Sequence, residues 1–254
     1  MRMEILGCNG GIGGELRTMC LRVGNDLLID AGSGAGDLSL TQIIAVNTVF
    51  LTHSHLDHCG FLPLLADAAA NFRDTPLNIY ALPETIAAIK RNILNGEIWP
   101  DYSAIPSPDH PYITFTPLQP GETVEMAGRG ITALPARHAV PAVGYWLDSG
   151  SSSLVYSGDT TLCPEFWQAL NHIPNLRYLL IETTFLNENA AGAARSGHMT
   201  AELLAQGLSW LQQPVELFIV HMESGRKQKT MREVQQAAGR FKPEILKRGM
   251  VFEF

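Results

Sequence analysis

Charge is scarce in this sequence. Of its 254 residues only 17% are Asp, Glu, Lys or Arg, and the formal net charge is −7. No basic patch or stripe stands out, which argues against a general nucleic-acid binder. A small anionic ligand is not excluded, because one local cation cluster or metal can dominate a site. The four cysteines, Cys8, Cys20, Cys59 and Cys163, are scattered without a CxxC pair. They read as reduced thiols, not as a disulfide framework. No segment approaches the ~20 apolar residues of a membrane helix. The opening "MRMEILGCNGG" lacks the apolar stretch and cleavage site of a signal peptide, so a soluble cytoplasmic protein is expected. Low-complexity linkers and short-period repeats are missing too.

Apolar residues, by contrast, make up 46% of the chain, enough for a large core. Strand-like runs come first: "MRMEILG", "LRTMCLRV", "NDLLIDAG" and "VNTVFLT", ended by Gly or Asn turn signals. "FLPLLADAAANF" has helical composition, "LNIYAL" reads as a strand, and "PETIAAIKRNILN" as a helix with Pro83 in its first turn. A Pro-rich aromatic loop, "GEIWPDYSAIPSPDHP", closes the first half. The second half repeats the rhythm with strands at "YITFTPL", "ETVEMAG", "GITALPA", "GYWLDSG" and "SSLVYSG". After a short helix near "PEFWQALNHI" come the strand "LRYLLIETT" and the helix "TAELLAQGLSWLQQ", with Thr200 as N-cap. "VELFIVHM" is a last buried strand and "TMREVQQAAGRF" a last helix. Two strand-rich halves, each closed by helices, predict an α/β four-layer αββα sandwich. Layers of about 250 residues often form one domain, so residues 1–254 are expected to be a single domain.

Chemistry concentrates in "VNTVFLTHSHLDHCGFLPLL". Where an apolar β-branched run stops, His53, His55, Asp57 and His58 follow within six residues. Side chains alternate on an extended segment, so His53 and His55 point the same way, while Asp57 and His58 lie one turn further on. That geometry suits two divalent metals about 3.5–4 Å apart sharing one water. Three more of the eight histidines sit beside strand ends: His138 in "ITALPARHAV", His198 in "ARSGHMTAELL" and His221 in "LFIVHMES". Asp159 in "VYSGDTT" completes the set. Imidazole and carboxylate ligands fit zinc best, with manganese or iron as alternatives.

"THSHLDH" resembles the signature of the metallo-β-lactamase fold superfamily, and the order His138, Asp159, His221 fits its later motifs. The resemblance implies one metal on His53, His55 and His138, the other on Asp57, His58 and His221, and Asp159 bridging them. Within the superfamily, "SGDT", "IETTF", "SGHMT" and "VHMES" are similar to motifs of the class II 3′,5′-cyclic-nucleotide phosphodiesterases. The chain departs from that family at Cys59, Gly60 and Phe61, and at Met222-Glu223-Ser224 after His221. The implied activity is metal-dependent hydrolysis of cyclic AMP or cyclic GMP to nucleoside 5′-monophosphates. His198 is then a catalytic acid or charge stabiliser, Glu182 its orienting carboxylate, and Asp57 both ligand and catalytic residue. Thr160, Arg226 and Lys227 are the candidate substrate contacts. The expected partner is a small phosphodiester, with no membrane and no stable nucleic acid; a homodimer is left open.

Rival activities share the metal ligands. A tRNA 3′-processing nuclease would need a long, basic, glycine-rich arm, and no such insertion is visible. A thioester or lactam hydrolase would not need the His198 motif. A metal-free binding protein predicts missing ligands. "GCNGGIGG" after the first strand fails as a dinucleotide fingerprint, since Leu16 stands where its last Gly should be and a strand follows. A tight glycine turn beside the metal site is expected instead. Trp99 and Tyr102 are candidates for stacking on a purine or for covering the core, and Cys59 reads as a small buried thiol.

Overall fold

"LRYLLIE" and "ELFIV" are apolar at successive positions, the pattern of strands buried on both faces. The computed structural model, which describes residues 1–254, shows how that burial is achieved. The first sheet contains β1 (Arg2–Gly7), β2 (Cys20–Val23), β3 (Leu27–Ile29), β4 (Thr48–Phe50) and β5 (Leu77–Ala81). A small hairpin of β6 (Pro106–Ser107) and β7 (His110–Pro111) precedes β8 (Ile113–Pro117), which joins this sheet beside β5. The second sheet contains β9 (Thr123–Met126), β10 (Arg129–Pro135), β11 (Val143–Asp148), β12 (Ser153–Tyr156), β13 (Leu176–Glu182), β14 (Glu216–Val220) and β15 (Glu244–Ile245). The last strand, β16 (Val251–Glu253), returns to the first sheet and pairs antiparallel with β1, Arg2 opposite Glu253.

Helices α1 (Leu40–Ala45), α2 (Leu56–Cys59), α3 (Leu62–Ala70) and α4 (Pro83–Asn92) belong to the first half. Helices α5 (Pro164–Leu170), α6 (Ala190–Ser196), α7 (Ala201–Leu208) and α8 (Lys227–Ala238) belong to the second. Three apolar clusters mark the three interfaces of a four-layer sandwich. Leu27 and Ile29 of β3 meet Tyr178 and Leu180 of β13 between the sheets. Leu28 and Val49 pack with Leu62 and Leu65 of α3 on one outer face. Leu179 and Ile181 pack with Trp167, Leu204 and Val234 on the other. Odd and even residues of a strand thus face different layers, as side-chain alternation requires.

Strand direction decides where the loops go. β12, β13 and β14 are mutually parallel, and β10 is antiparallel to β11, itself antiparallel to β12. β10 therefore runs with β12, and all four strands end at one edge of their sheet. β3 and β4 run parallel in the other sheet.

Helices α1 and α6, the β6–β7 hairpin, β15 and β16 are absent from the sequence reading, and two other elements are shorter than expected. Only Cys20–Val23 of "LRTMCLRV" is regular strand, because Thr18 and Met19 bend away to bond Ser33 and Gly32. Helix α7 stops at Leu208 instead of running through "SWLQQ", because Asn171 grips both Trp210 O and Gln212 N at 2.9 Å. Thr200 does cap α7, accepting a bond from Leu203 N. No helix is long and apolar enough to cross a membrane.

Candidate metal centre

Beyond β4 the backbone bends at Thr52 and Ser54, is extended at His55 and then makes the single helical turn of α2. Asp57 and His58 sit in that turn, and Leu56 between the donors is thrown outward, 68% exposed. His138 follows β10, Asp159 follows β12, Glu182 ends β13 and His221 follows β14. The shared direction of those strands brings all four to one edge, opposite the α2 turn.

Donor atoms converge in three groups that share Asp159, the smallest being Asp159, Glu182 and His198; the two four-residue groups carry the metal-type donor sets. His53, His55, His138 and Asp159 form one; Asp57, His58, His221 and Asp159 form the other; within each, the donor atoms all lie within 4.8 Å of one another. His53 Nε2 is 3.7 Å from Asp159 Oδ2, and His138 Nε2 is 3.9 Å from the same oxygen. His138 Nε2 lies 3.2 Å from His55 Nδ1. On the other side, His58 Nε2 is 3.3 Å from Asp159 Oδ1, and His221 Nε2 is 3.1 Å from Asp57 Oδ2 and 3.4 Å from Asp159 Oδ2.

The donor set fits divalent cations. Zinc–nitrogen bonds of ~2.0–2.1 Å in a tetrahedron place neighbouring donors about 3.3 Å apart, close to the separations observed. Three buried atoms, His53 Nε2, His58 Nε2 and Asp159 Oδ1, have no hydrogen-bond partner. Leaving buried polar atoms unpaired costs about 1–3 kcal/mol each, and cations between them would satisfy all three.

Outer contacts set which nitrogen faces inward. His58 Nδ1 donates to Asp30 Oδ2 at 2.7 Å, and His138 Nδ1 to Gly197 O at 3.0 Å. His53 Nδ1 meets Thr52 Oγ1 at 3.0 Å, whose hydroxyl donates to Asp30. His221 Nδ1 meets Thr184 Oγ1 at 3.0 Å, whose hydroxyl donates to Glu182 Oε2 at 2.9 Å. In the neutral rings each inner nitrogen is thereby left with its lone pair, the arrangement metal-ligating imidazoles use. Burial lowers the His53, His55 and His138 pKa values, which keeps those rings neutral. Burial acts the same way on His58, but Asp159 and Asp30 outweigh it and raise its pKa well above the ordinary value. The cluster thus favours positive charge beside Asp159. Asp30 and His221 also hold left-handed backbone, φ 60 and 57; such residues cost about 1–3 kcal/mol each and collect at functional sites.

His198 stands one ring further out, 5.3 Å from His221 and 4.8 Å from His138 between ring centres. Its Nδ1 is 2.7 Å from Glu182 Oε1. Glu182 is fully buried and also accepts bonds from Thr160 N, Thr184 N and Met199 N. Burial lowers the His198 pKa, but the Glu182 carboxylate overcomes this and holds it at about 9.

Other expected contacts are placed differently. The Thr160 hydroxyl is buried, accepting from Arg137 N at 2.9 Å and donating to Thr161 O at 2.9 Å. It is occupied by its own loop, and Thr160 serves the site through its N–H to Glu182. Arg226 is engaged by Glu223 at 3.1 Å and Glu188 at 3.8 Å. Lys227 lines a surface hollow with Leu16, Gly225 and Gln228. Neither makes an ion pair or hydrogen bond with the cluster. Tyr102 is buried against the helix-covered face of the first sheet and donates to Asp67, with Trp99 packed on the same cluster. Burial pushes the Cys59 thiol up to about 12, so it stays protonated. The glycine turn does lie beside the metal donors: a Cβ at Gly10 would stand 2.9 Å from His221 Nδ1. Asp30, Thr52 and Thr184 were not foreseen; an acid closing the apolar run "LLID" was the available signal for the first.

Comparison with known proteins agrees with this fold. A ribonuclease Z from Methanococcus maripaludis (strain C6) is 29% identical over 153 residues, which is 57% of this chain and 48% of that protein. The chain thus spans about half the length of the curated relatives it matches. Unliganded yeast PDE1 superposes with a TM-score of 0.82 at 17% identity, covering 100% of this chain and 99% of that one. The metallo-β-lactamase fold protein YhfI from Bacillus subtilis gives 0.76 at 21% identity, covering 100% and 99%. Both structures share the fold described above. Residues 25–222 match the family described as the β-lactamase superfamily domain, and the chain belongs to that superfamily.

Proposed function

We propose that this chain is a dinuclear-metal hydrolase of phosphodiesters that opens 3′,5′-cyclic AMP or cyclic GMP to the nucleoside 5′-monophosphate. The observation that carries this reading is His198, held by a buried carboxylate at 2.7 Å and set beside Asp159, in a smaller group with Asp159 and Glu182 and outside both four-residue groups. A cationic imidazole placed there suits a phosphodiester, which gains negative charge in the transition state and expels an alkoxide that needs a proton.

In this reading His53, His55 and His138 would hold one ion and Asp57, His58 and His221 the other, with Asp159 available to both. Divalent ions so held supply Lewis acidity and a water of lowered pKa; zinc suits the nitrogen and oxygen donors, with manganese or iron as alternatives. The chain's own residues do the rest. Asp57 keeps 31% of its side chain exposed, so the cluster meets solvent, and substrate, on that side. A water oxygen attacks phosphorus, forming a new P–O bond as the bond to the 3′ oxygen breaks. His198, protonated at Nε2 and oriented through Nδ1 by Glu182, gives its proton to that departing oxygen. Thr160 N and Thr184 N fix the Glu182 carboxylate in turn.

A tRNA 3′-processing activity is the second reading, favoured by the likeness to ribonuclease Z. Against it stand the net charge of −7 and the lack of a basic, glycine-rich arm. Rates of the metal-loaded protein on cyclic AMP, cyclic GMP, precursor tRNA and a thioester decide between them. Cyclic-nucleotide hydrolysis supports the proposal; cleavage confined to precursor tRNA transfers the case to the nuclease; thioester turnover alone overturns both.

A further inference from the structure

Beside Asp57 the surface sinks into a cleft of about 420 Å³, lined by Ile12, Leu56 and Phe61, by Thr18 and Ser33, and by Asp57 itself. That volume lies within the ~300–1,000 Å³ of small-molecule pockets. Its composition is unusual for the approach to a phosphate site, since no Lys or Arg lines it. Ile12 is 72% exposed and Leu56 68% exposed, large apolar side chains left in water at the lip of a polar centre. Thr18 and Ser33 satisfy one another: Thr18 N donates to Ser33 Oγ at 2.9 Å, and Ser33 N to Thr18 Oγ1 at 2.7 Å. Past Phe61 the hollow continues beside Arg17, but that guanidinium is committed to Asp37 at 3.1 Å and to Gly14 O. The Phe61 ring is set in place by Gly36, where a Cβ would come within 2.7 Å of it.

We infer that this cleft is the specificity subsite of the phosphodiesterase proposed above, and that it seats an uncharged ring, a nucleobase or an aryl group, attached to the phosphoryl group at the metal centre. The inference rests on that proposal for the placement of the phosphate. Exposed apolar side chains around a small hollow are stabilised by covering, which a flat uncharged ring provides. No Lys or Arg lines the cleft to meet the further phosphates of a polynucleotide strand, and Asp57 would repel them. The cleft thus selects for one ring on one phosphate.

Equilibrium binding to the metal-loaded protein tests this without requiring turnover. Adenosine 5′-monophosphate is expected to bind on the order of tenfold more tightly than ribose 5-phosphate, the gain that burying one small ring supplies. Ile12→Ser and Leu56→Ser, both at exposed side chains and so neutral to folding, should each erase most of that margin while leaving ribose 5-phosphate affinity unchanged. Equal binding of the two ligands by the unaltered protein, or a margin untouched by both substitutions, overturns the subsite. If the margin and its loss appear but no phosphodiester is hydrolysed, the subsite stands and the proposed reaction fails; hydrolysis without the margin is the reverse.

Discussion

Asp30 Oδ2 accepts the Nδ1–H of His58 at 2.7 Å, and the same carboxylate takes bonds from Thr52 N, the Thr52 hydroxyl and the Tyr156 hydroxyl. Asp30 is fully buried at the end of β3 and touches none of the space between the inner donors, yet it aims two of them: His58 directly and His53 through Thr52.

Asp30→Asn keeps the size of the side chain, and Asn tolerates the left-handed backbone at φ 60. The charge that supports His58 is lost. The variant is expected to fold but to bind metal roughly 10–100-fold more weakly, the usual effect of removing such an outer partner. Competition with a chelator measures this. Unchanged metal affinity would show that Asp30 serves only the fold.

His198→Ala is expected to keep its metal and lose roughly 10²–10⁴-fold in turnover of a cyclic nucleotide, the range for a positioned acid. The loss should shrink on an aryl phosphodiester, whose leaving group needs no proton. Loss of metal instead would make His198 a ligand and defeat its assigned role.

The charge on His198 also carries a pH signature. Burial opposes protonation and Glu182 favours it more strongly, so the folded-state pKa rises from 6.5 to about 9. The pair's contribution to stability is therefore complete below pH 6.5 and is lost as pH rises through about 9. Turnover should fall over that same basic limb. Glu182→Gln should move the limb to lower pH, whereas a residue that merely supports the fold would lower the whole profile without moving it.

Packing away from the site gives a separate expectation. A Cβ at Gly207 would lie 2.2 Å from the buried Trp167 ring, between α7 and α5. Gly207→Ala is expected to cost about 1–3 kcal/mol or more, the range for forcing an extra group into a packed core. Denaturant unfolding should show it while metal affinity per folded molecule is unchanged.

Much of the centre was legible because its chemistry is written in local runs: four metal-type side chains at the end of β4, and single His or Asp residues at the ends of later strands. The four-layer order followed from two strand-rich halves, each closed by helices. What escaped depends on distant partners. Asp30 looks like any turn residue until His58, 28 positions on, is brought against it. Thr160, Arg226 and Lys227 have the right types for phosphate, but Thr160 is consumed by its own loop and Arg226 by Glu223 and Glu188. The length of α7 was set by Asn171, on the preceding helix–strand connection, and β16 was too short to read without β1 beside it.

The central claim is that seven side chains from four chain segments form one two-metal hydrolytic centre joined through Asp159. The most direct test is the metal-to-protein ratio, read by elemental analysis on the same samples whose phosphodiesterase rates are known, for the unaltered chain and for Asp159→Ala. The account expects close to two divalent ions per chain in active protein, loss of at least one ion in the variant, and activity that disappears with chelation and returns with zinc or manganese. Full phosphodiesterase activity in a sample that contains no metal would contradict it.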